Sequence, residues 1–257
     1  LYRVNGNLGD LRRLIAAGVP VIVETGIDPP GEYSWLEWYG HYFLVVGYDD
    51  ATEQVWVYDS WFGNDPSAAV EARVGGGNGR AISYDVFDGY WQQFNRTYVP
   101  IYDDGQTAAV ENIIAEQLDD QAMWEQSLIN VQIELADDQE NGHLWFTLGT
   151  VHNALGDYET AATAFDKARE VGLPWRKLWY QFGPYEAYYQ VGRYQDVIEL
   201  ADVTLNQRPY FEESYYYRGL AYQALGDERA ARDNFEDAAA FNPNYEPAVE
   251  ALAALAP

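Results

Sequence analysis

The chain has 257 residues and no cysteine. Disulfides and thiolate metal sites are therefore excluded, and so is a cysteine nucleophile from within this sequence. Long apolar runs are also missing, and none approaches the ~18 residues of a membrane-spanning helix. No secretory signal is visible. The chain begins at Leu1 without a methionine, already in strand-like sequence, and reads as a truncated or processed product. Positive charge is scarce: 15 Lys and Arg stand against 41 Asp and Glu, for a formal net charge of −26. That balance disfavours nucleic acid and anionic membranes as partners and favours cationic ones. The glycine-rich stretch Gly75-Gly76-Gly77-Asn78-Gly79 lacks the Gly-Lys-Ser/Thr ending of a phosphate loop and reads as a flexible connection.

What is present is a folded protein rich in aromatics, with 48% apolar residues, 22 Tyr and 9 Trp. The first half is organised around a hairpin from Gly40 to Asp59. Tyr42 to Val46 and Val55 to Tyr58 are β-branched and aromatic, and Asp49-Asp50-Ala51-Thr52 supplies the turn. Antiparallel pairing brings His41, starting one strand, near Asp59, ending the other. A histidine beside a carboxylate that can orient its ring is two thirds of a nucleophilic triad. Before the hairpin, residues 8–17 read as a helix with Leu8, Leu11, Leu14 and Ile15 on one face. Gly18 ends it, and 19–25 is a buried strand. Residues 84–94 read as helix and 97–102 as a closing strand. Asp103-Asp104-Gly105 marks a domain boundary.

Other chemistry is poorly supported. Ser60 adjoins Asp59 but sits in no Gly-x-Ser-x-Gly elbow. His143 and His152 fit no zinc spacing, so no metal site is expected. The acidic pairs, such as Asp119-Asp120 and Asp137-Asp138, lack the alternating-oxygen pattern of a calcium loop.

Beyond residue 103 the period becomes helical. Gly156, Gly192 and Gly226 recur in Leu-Gly-Asp-Tyr, Val-Gly-Arg-Tyr and Leu-Gly-Asp-Glu, spaced by 36 and 34 residues. A period near 34 is that of tetratricopeptide repeats. The first unit carries Trp145, Gly149, Tyr158, Ala161, Phe165 and Ala168. The third carries Tyr215, Gly219, Tyr222, Ala231, Phe235 and Ala238. The second departs, because Gly183-Pro184 interrupts its first helix and a kink is expected there. Residues 107–136 read as a degenerate fourth unit. With the boundary at 103, the first part carries 6 basic and 14 acidic residues and the second 9 and 27, so the acidity belongs mainly to the repeats.

With these motifs in view, "LRRLIAAGVPVIVE", "GHYFLVVGYDD" and "VWVYDS" resemble the second half of a papain-superfamily cysteine peptidase domain. The resemblance is to the bacteriocin-processing, double-glycine-cleaving peptidases and their relatives. It implies that His41 is the general base and Asp59 its orienting partner. It also implies an N-terminal lobe bearing the cysteine and an oxyanion-hole glutamine, which have no counterpart here. The fold class expected is an α+β half domain with a papain-like antiparallel sheet over residues 1–103. An all-α tetratricopeptide solenoid follows over 104–257, with repeats at about 142–175, 178–211 and 212–243 and a capping helix at 244–256. If a lobe is missing, the face around His41, Trp35, Trp38 and Trp61 should expose an apolar patch.

The function implied is that of a cysteine peptidase-like hydrolase whose repeats bind a peptide or protein, with this chain inactive alone. The alternative is a non-catalytic scaffold with a decayed peptidase-like module. No cofactor is expected. The expected partners are a peptide or protein on the concave face of the repeats and the N-terminal lobe. An extracellular or cell-surface bacterial setting is expected, with a cytoplasmic one as the alternative. By repeat position, Phe146, Thr150 and Asn153, then Phe182, Glu186 and Tyr189, then Tyr216 and Gln223 should line the groove. Rings flanked by carboxylates suit an extended peptide with basic or amide-rich side chains.

Overall fold

The computed structural model describes residues 1–28, 34, 37–60 and 79–255, and within them five strands form one antiparallel sheet. The strands are β1 (Val21–Ile27), β2 (Tyr39–Asp49), β3 (Gln54–Asp59), β4 (Arg80–Ser83) and β5 (Tyr98–Pro100). Their spatial order is β4-β3-β2-β1-β5. Helix α1 (Leu8–Ala16) precedes the sheet and α2 (Tyr84–Gln92) lies between β4 and β5. The side chain of Asn7 caps α1 by accepting the Asp10 N–H at 2.9 Å. Gly18, at φ +78°, ends that helix in the left-handed region that other residues enter only at a cost.

One face of the sheet builds the core. Val21, Val23, Phe43, Val45, Val55 and Val57 are each fully buried there. Leu11 and Leu14 of α1 and Phe87 and Trp91 of α2 join the same cluster. Each such side chain contributes about 2 kcal/mol of apolar burial. The hairpin strand β2 starts three residues earlier and ends three later than its β-branched run, because Gly40 and Gly47 can be carried in the ladder. A register shift between Val45 and Gly47 marks a bulge. At Gly47 an added Cβ would lie 3.1 Å from the Trp56 ring, so the bulge relies on the missing side chain.

The chain divides into two compact units, Leu1–Thr147 and Leu148–Pro257. The sequence reading placed the boundary at 103/104, but the sheet unit runs on through α3 (Thr107–Ile113) and α4 (Asp120–Asp137). Asp103 does punctuate the chain: it caps a short 3-10 turn reciprocally with Gln106. Packing then crosses that punctuation. Val110 and Ile114 enter the sheet core. Ser127 donates to Asn95 Oδ1 at 3.0 Å, and Asn130 donates to Asn5 Oδ1 at 2.9 Å. Arg96 is held at 2.7 Å by both Asp88 and Glu134. Residues 107–136 are thus part of the first unit and not a fourth repeat.

Moving the boundary moves the charge. Residues 104–147 hold 10 acidic and no basic side chains. The first unit therefore carries 6 basic and 24 acidic residues, and the second 9 and 17. The acidity lies mainly in the sheet unit, contrary to the expectation that it belongs to the repeats.

Helix α5 (Gly142–Ala154) spans the division. The second unit continues with α6 (Tyr158–Val171), α7 (Gly183–Gln190), α8 (Tyr194–Gln207), α9 (Glu212–Ala224), α10 (Glu228–Phe241) and α11 (Glu246–Ala254). Gly156, Gly192 and Gly226 all take φ near +80° between paired helices (80°, 76° and 84°). Gly183-Pro184 does not kink a helix. It begins one: α7 starts at Gly183 after the 3-10 turn Trp175–Trp179, and Pro184 sits in the first turn, where a missing N–H is harmless.

Helix crossings follow a size rule. An added Cβ at Gly149 would meet the Phe165 ring at 2.6 Å, and one at Gly219 would meet the Phe235 ring at 2.6 Å. The second repeat reverses the pair, with Tyr185 in the glycine position and Ala201 in the phenylalanine position, both 0% exposed. Its extra hydroxyl is absorbed by Thr204 at 3.0 Å and Ser214 at 3.2 Å.

Candidate functional site

His41 is the third residue of β2, not its first, and lies opposite Thr25 of β1. Phe43 pairs with Asp59, the last residue of β3. His41 is two residues from Phe43, so the two-residue period puts its side chain on the same face as Asp59. The side chains meet: His41 Nε2 lies 2.8 Å from Asp59 Oδ1. The ring is fixed edge-on to Phe43 (5.3 Å, 80°) and Tyr39 (6.0 Å, 77°). Thr25, fully buried, donates its hydroxyl to the His41 carbonyl at 2.9 Å and holds the backbone beneath.

The Asp59 side chain is 2% exposed. Its second oxygen accepts from Arg80 Nη1 at 3.0 Å. The carboxylate thus stands between an imidazole and a guanidinium, and its buried charge is compensated on both sides. Arg80 comes from β4, where it pairs with Val57, and sequence reasoning missed it. The only available signal was a basic residue opening a short apolar strand in a chain poor in basic residues.

With Nε2 committed to Asp59, Nδ1 is the ring nitrogen left to accept a proton from a third group. Ser60 is exposed at the end of β3. Beside Asp59 and Arg80 lies an apolar cavity of about 400 Å³, whose lining includes Ile22, Tyr42, Leu44 and Tyr58. A larger, polar cavity of about 1130 Å³ involves Asn5, Asn7, Asn112 and Asn130 and does not include His41. Of the aromatics expected to form an exposed face, Trp38 is buried (5% exposed). It stacks on Phe94 and donates to Gln93 Oε1 at 2.6 Å. Trp35 and Trp61 lie outside the described residues, as does most of the glycine-rich stretch. Tyr42 and Tyr58 expose their rings and alternate with the core-facing residues. Among the described residues, no group of three or more His, Cys, Asp or Glu could hold a metal ion, and no helix is long and apolar enough to cross a membrane.

In the second unit, Asn153 Nδ2 donates to Glu186 Oε2 at 2.8 Å, joining two of the expected groove residues across neighbouring repeats. Thr150, Phe182, Glu186, Tyr189 and Tyr216 are partly exposed and Gln223 is exposed. Phe182 stacks on Tyr185 and Tyr189 tilts on Tyr194. Phe146 is a correction, since at 1% exposure it is a core residue with no surface for a ligand. Its place in α5 has the right helical phase but sits under packing that repeat position does not reveal. Tyr217, Tyr245 and Glu213, which sequence reasoning did not single out, are also partly exposed.

The geometry thus defines a sheet unit with a paired histidine and aspartate, followed by a helical-repeat unit. Residues 3–99 match the family described as Peptidase_C39 like family, and residues 142–170 and 212–245 match the tetratricopeptide repeat. Several solved structures are similar to the chain, three of which follow. The crystal structure of MamA is 15% identical, covering 60% of this chain and 84% of that one at a TM-score of 0.47. MamA 41-end from Desulfovibrio magneticus RS-1 is 15% identical, covering 60% and 85% at 0.48. YrrB, titled a TPR protein with an unusual peptide-binding site, is 15% identical, covering 56% and 88% at 0.27. No match was found among curated proteins.

Proposed function

We propose that the first unit is the base-bearing part of a cysteine peptidase-like hydrolase and that the repeats bind a peptide or protein. His41 is the general base and Asp59 its orienting partner. The nucleophilic cysteine comes from outside this sequence. The observation that carries the reading is the 2.8 Å contact between His41 Nε2 and a carboxylate that is itself buried and fixed.

In the completed site the thiol proton passes to His41 Nδ1 as sulfur bonds to the substrate carbonyl carbon. The same proton then passes to the leaving nitrogen as the C–N bond breaks. Water hydrolyses the resulting thioester and restores the thiol. Asp59 holds the ring in the Nε2–H tautomer throughout. An exported, cell-surface bacterial setting accompanies this reading.

A second reading, a non-catalytic scaffold, is favoured by the Arg80 contact with Asp59 Oδ2 at 3.0 Å. A guanidinium already neutralising the carboxylate reduces what it can add to an imidazolium. The two readings part in the full-length gene product. Expressed whole, it should contain a cysteine that alkylates with iodoacetamide at pH 6, where an ordinary thiol is protonated. His41→Ala should lower that labelling and cut peptide hydrolysis by roughly 10³-fold or more. A product without cysteine, or one whose labelling ignores His41→Ala, leaves the scaffold.

A further inference from the structure

Glu213, Tyr216 and Tyr217 of α9 and Tyr245 just before α11 form one cluster. Tyr216 meets Tyr217 at 5.4 Å (68°) and Tyr245 at 5.6 Å (85°), both edge-on. Tyr217 stacks on Tyr185 at 5.5 Å. Tyr185 is locked in turn by its hydroxyl bonds to Thr204 and Ser214. The rings are therefore preorganised, and a ligand need not order them. Tyr217 lies in the field of Glu186 and Glu213, and Tyr245 in that of Glu212 and Glu213.

The polar groups of this cluster are open. Among the described residues, the hydroxyls of Tyr216, Tyr217 and Tyr245 have no hydrogen-bond partner, and Glu213 has no ion pair. Burial pushes the Glu213 carboxyl above the usual carboxylate range; a hydrogen bond from its own backbone N–H offsets only part of this, and the neighbouring Glu212 charge adds to it. Along the same helix faces, Asn153 Oδ1 is buried without a hydrogen-bond partner while its amide nitrogen serves Glu186. An orphaned acceptor and an uncompensated carboxylate both ask for a donor. The nearby Arg218 does not supply one, because it is engaged by Asp202 and Asn234 and lies over Tyr215.

We propose that Tyr216, Tyr217 and Tyr245, with Glu213 and Glu186, form a receptor for a cationic side chain, lysine or arginine, of a bound peptide. Ring faces attract the cation through their quadrupoles, and the carboxylates provide the counter-charge. The proposal rests on the reading that the repeats bind a peptide, and adds which side chain is recognised and where.

The test is calorimetric titration of the full chain with three short, terminally blocked peptides differing at one central residue: lysine, norleucine or glutamate. The lysine peptide should bind, and norleucine should bind about tenfold or more weakly, since it keeps the aliphatic stem and loses the charge. Raising salt to ~0.5 M should weaken the lysine peptide selectively as the Debye length shortens. Glu213→Gln should weaken lysine binding about tenfold with norleucine unchanged. Tyr245→Ala, checked for retained helicity, should do the same through lost ring area. Equal binding of lysine and norleucine peptides would overturn the cation receptor and leave peptide binding standing. Failure of all three peptides would remove both readings.

Discussion

The two units place carboxylates beside aromatic rings in opposite ways. In the sheet unit, Asp59 is buried and both its oxygens are engaged, one by His41 and one by Arg80. In the repeat unit, Glu213 is partly buried and has no cation. The first arrangement holds its groups in one geometry before any ligand arrives, which suits orienting a base. The second leaves its bonding capacity open, which suits receiving a ligand. Removing Asp59 should therefore harm the first unit's stability, and removing the Glu213 charge should relieve the second's.

The largest effect is expected at Asp59. Asp59→Ala strips a partly buried guanidinium and an imidazole of their shared partner, and should cost about 3 kcal/mol in the first unit. Urea unfolding followed by tryptophan fluorescence measures it, since seven of the nine tryptophans lie within residues 1–147. Asp59→Asn keeps the shape and one acceptor and should cost less. A loss below ~1 kcal/mol for Asp59→Ala would mean that the pair is not the fixed element the geometry describes.

The repeats themselves supply the next contrast. Gly219→Ala drives a Cβ toward the Phe235 ring at 2.6 Å and should cost about 1–3 kcal/mol by overpacking. The second repeat already shows a tolerated alternative in Tyr185 over Ala201. Adding Phe235→Leu to Gly219→Ala should recover part of the loss, and the coupling in a double-mutant cycle should be at least ~0.5 kcal/mol. Strict additivity would break the size rule.

A smaller effect separates the first and third repeats from the second. Asp157 and Asp227 each cap the helix that follows, accepting the N–H of Thr160 at 3.2 Å and of Ala230 at 3.0 Å. Either residue replaced by alanine should cost about 1 kcal/mol. The second repeat has Arg193 there, with no side-chain cap. That side chain instead reaches Asp166 at 2.6 Å and Asp196 at 2.8 Å. Arg193→Ala should therefore act through the lost ion pairs and respond to salt, whereas Asp227→Ala should not.

Much of this was legible in the chain, for reasons that differ by element. The hairpin and the repeats announce themselves through local periods, two in one case and about 34 in the other. The His41–Asp59 meeting follows from antiparallel pairing alone, since one end of β2 must approach the far end of β3. The unit boundary was not legible. Asp103-Asp104-Gly105 is a true local stop, but Asn5 to Asn130 and Asn95 to Ser127 are pairings between residues far apart in sequence. Arg80 was hidden for the same reason, lying more than twenty residues beyond Asp59. Phe146 failed because repeat position gives a helical phase without saying what packs over it.

The smallest expected effect tests the open carboxylate directly. In the folded chain the Glu213 carboxyl is raised by burial. An unfolded glutamate titrates near ~4.3. The folded state therefore binds this proton more tightly than the unfolded one. Its contribution to stability is fully present below the unfolded value and is lost as pH rises through the higher folded value. Neutral pH is the unfavourable side, where the ionised group sits half-buried without a cation beside it. Glu213→Gln removes the charge and keeps the shape. It should raise the melting temperature of the repeat unit at pH 8 by roughly 2 °C, with the advantage shrinking toward pH 4. Asp166 is the internal control of opposite sign. Burial would raise it, but hydrogen bonds from Arg193 and Tyr188 hold it below the usual carboxylate range. Asp166→Asn should therefore destabilise at neutral pH and matter less in acid. If Glu213→Gln and Asp166→Asn shift the melting temperature in the same direction at pH 8, the contrast between a compensated and an uncompensated carboxylate does not hold.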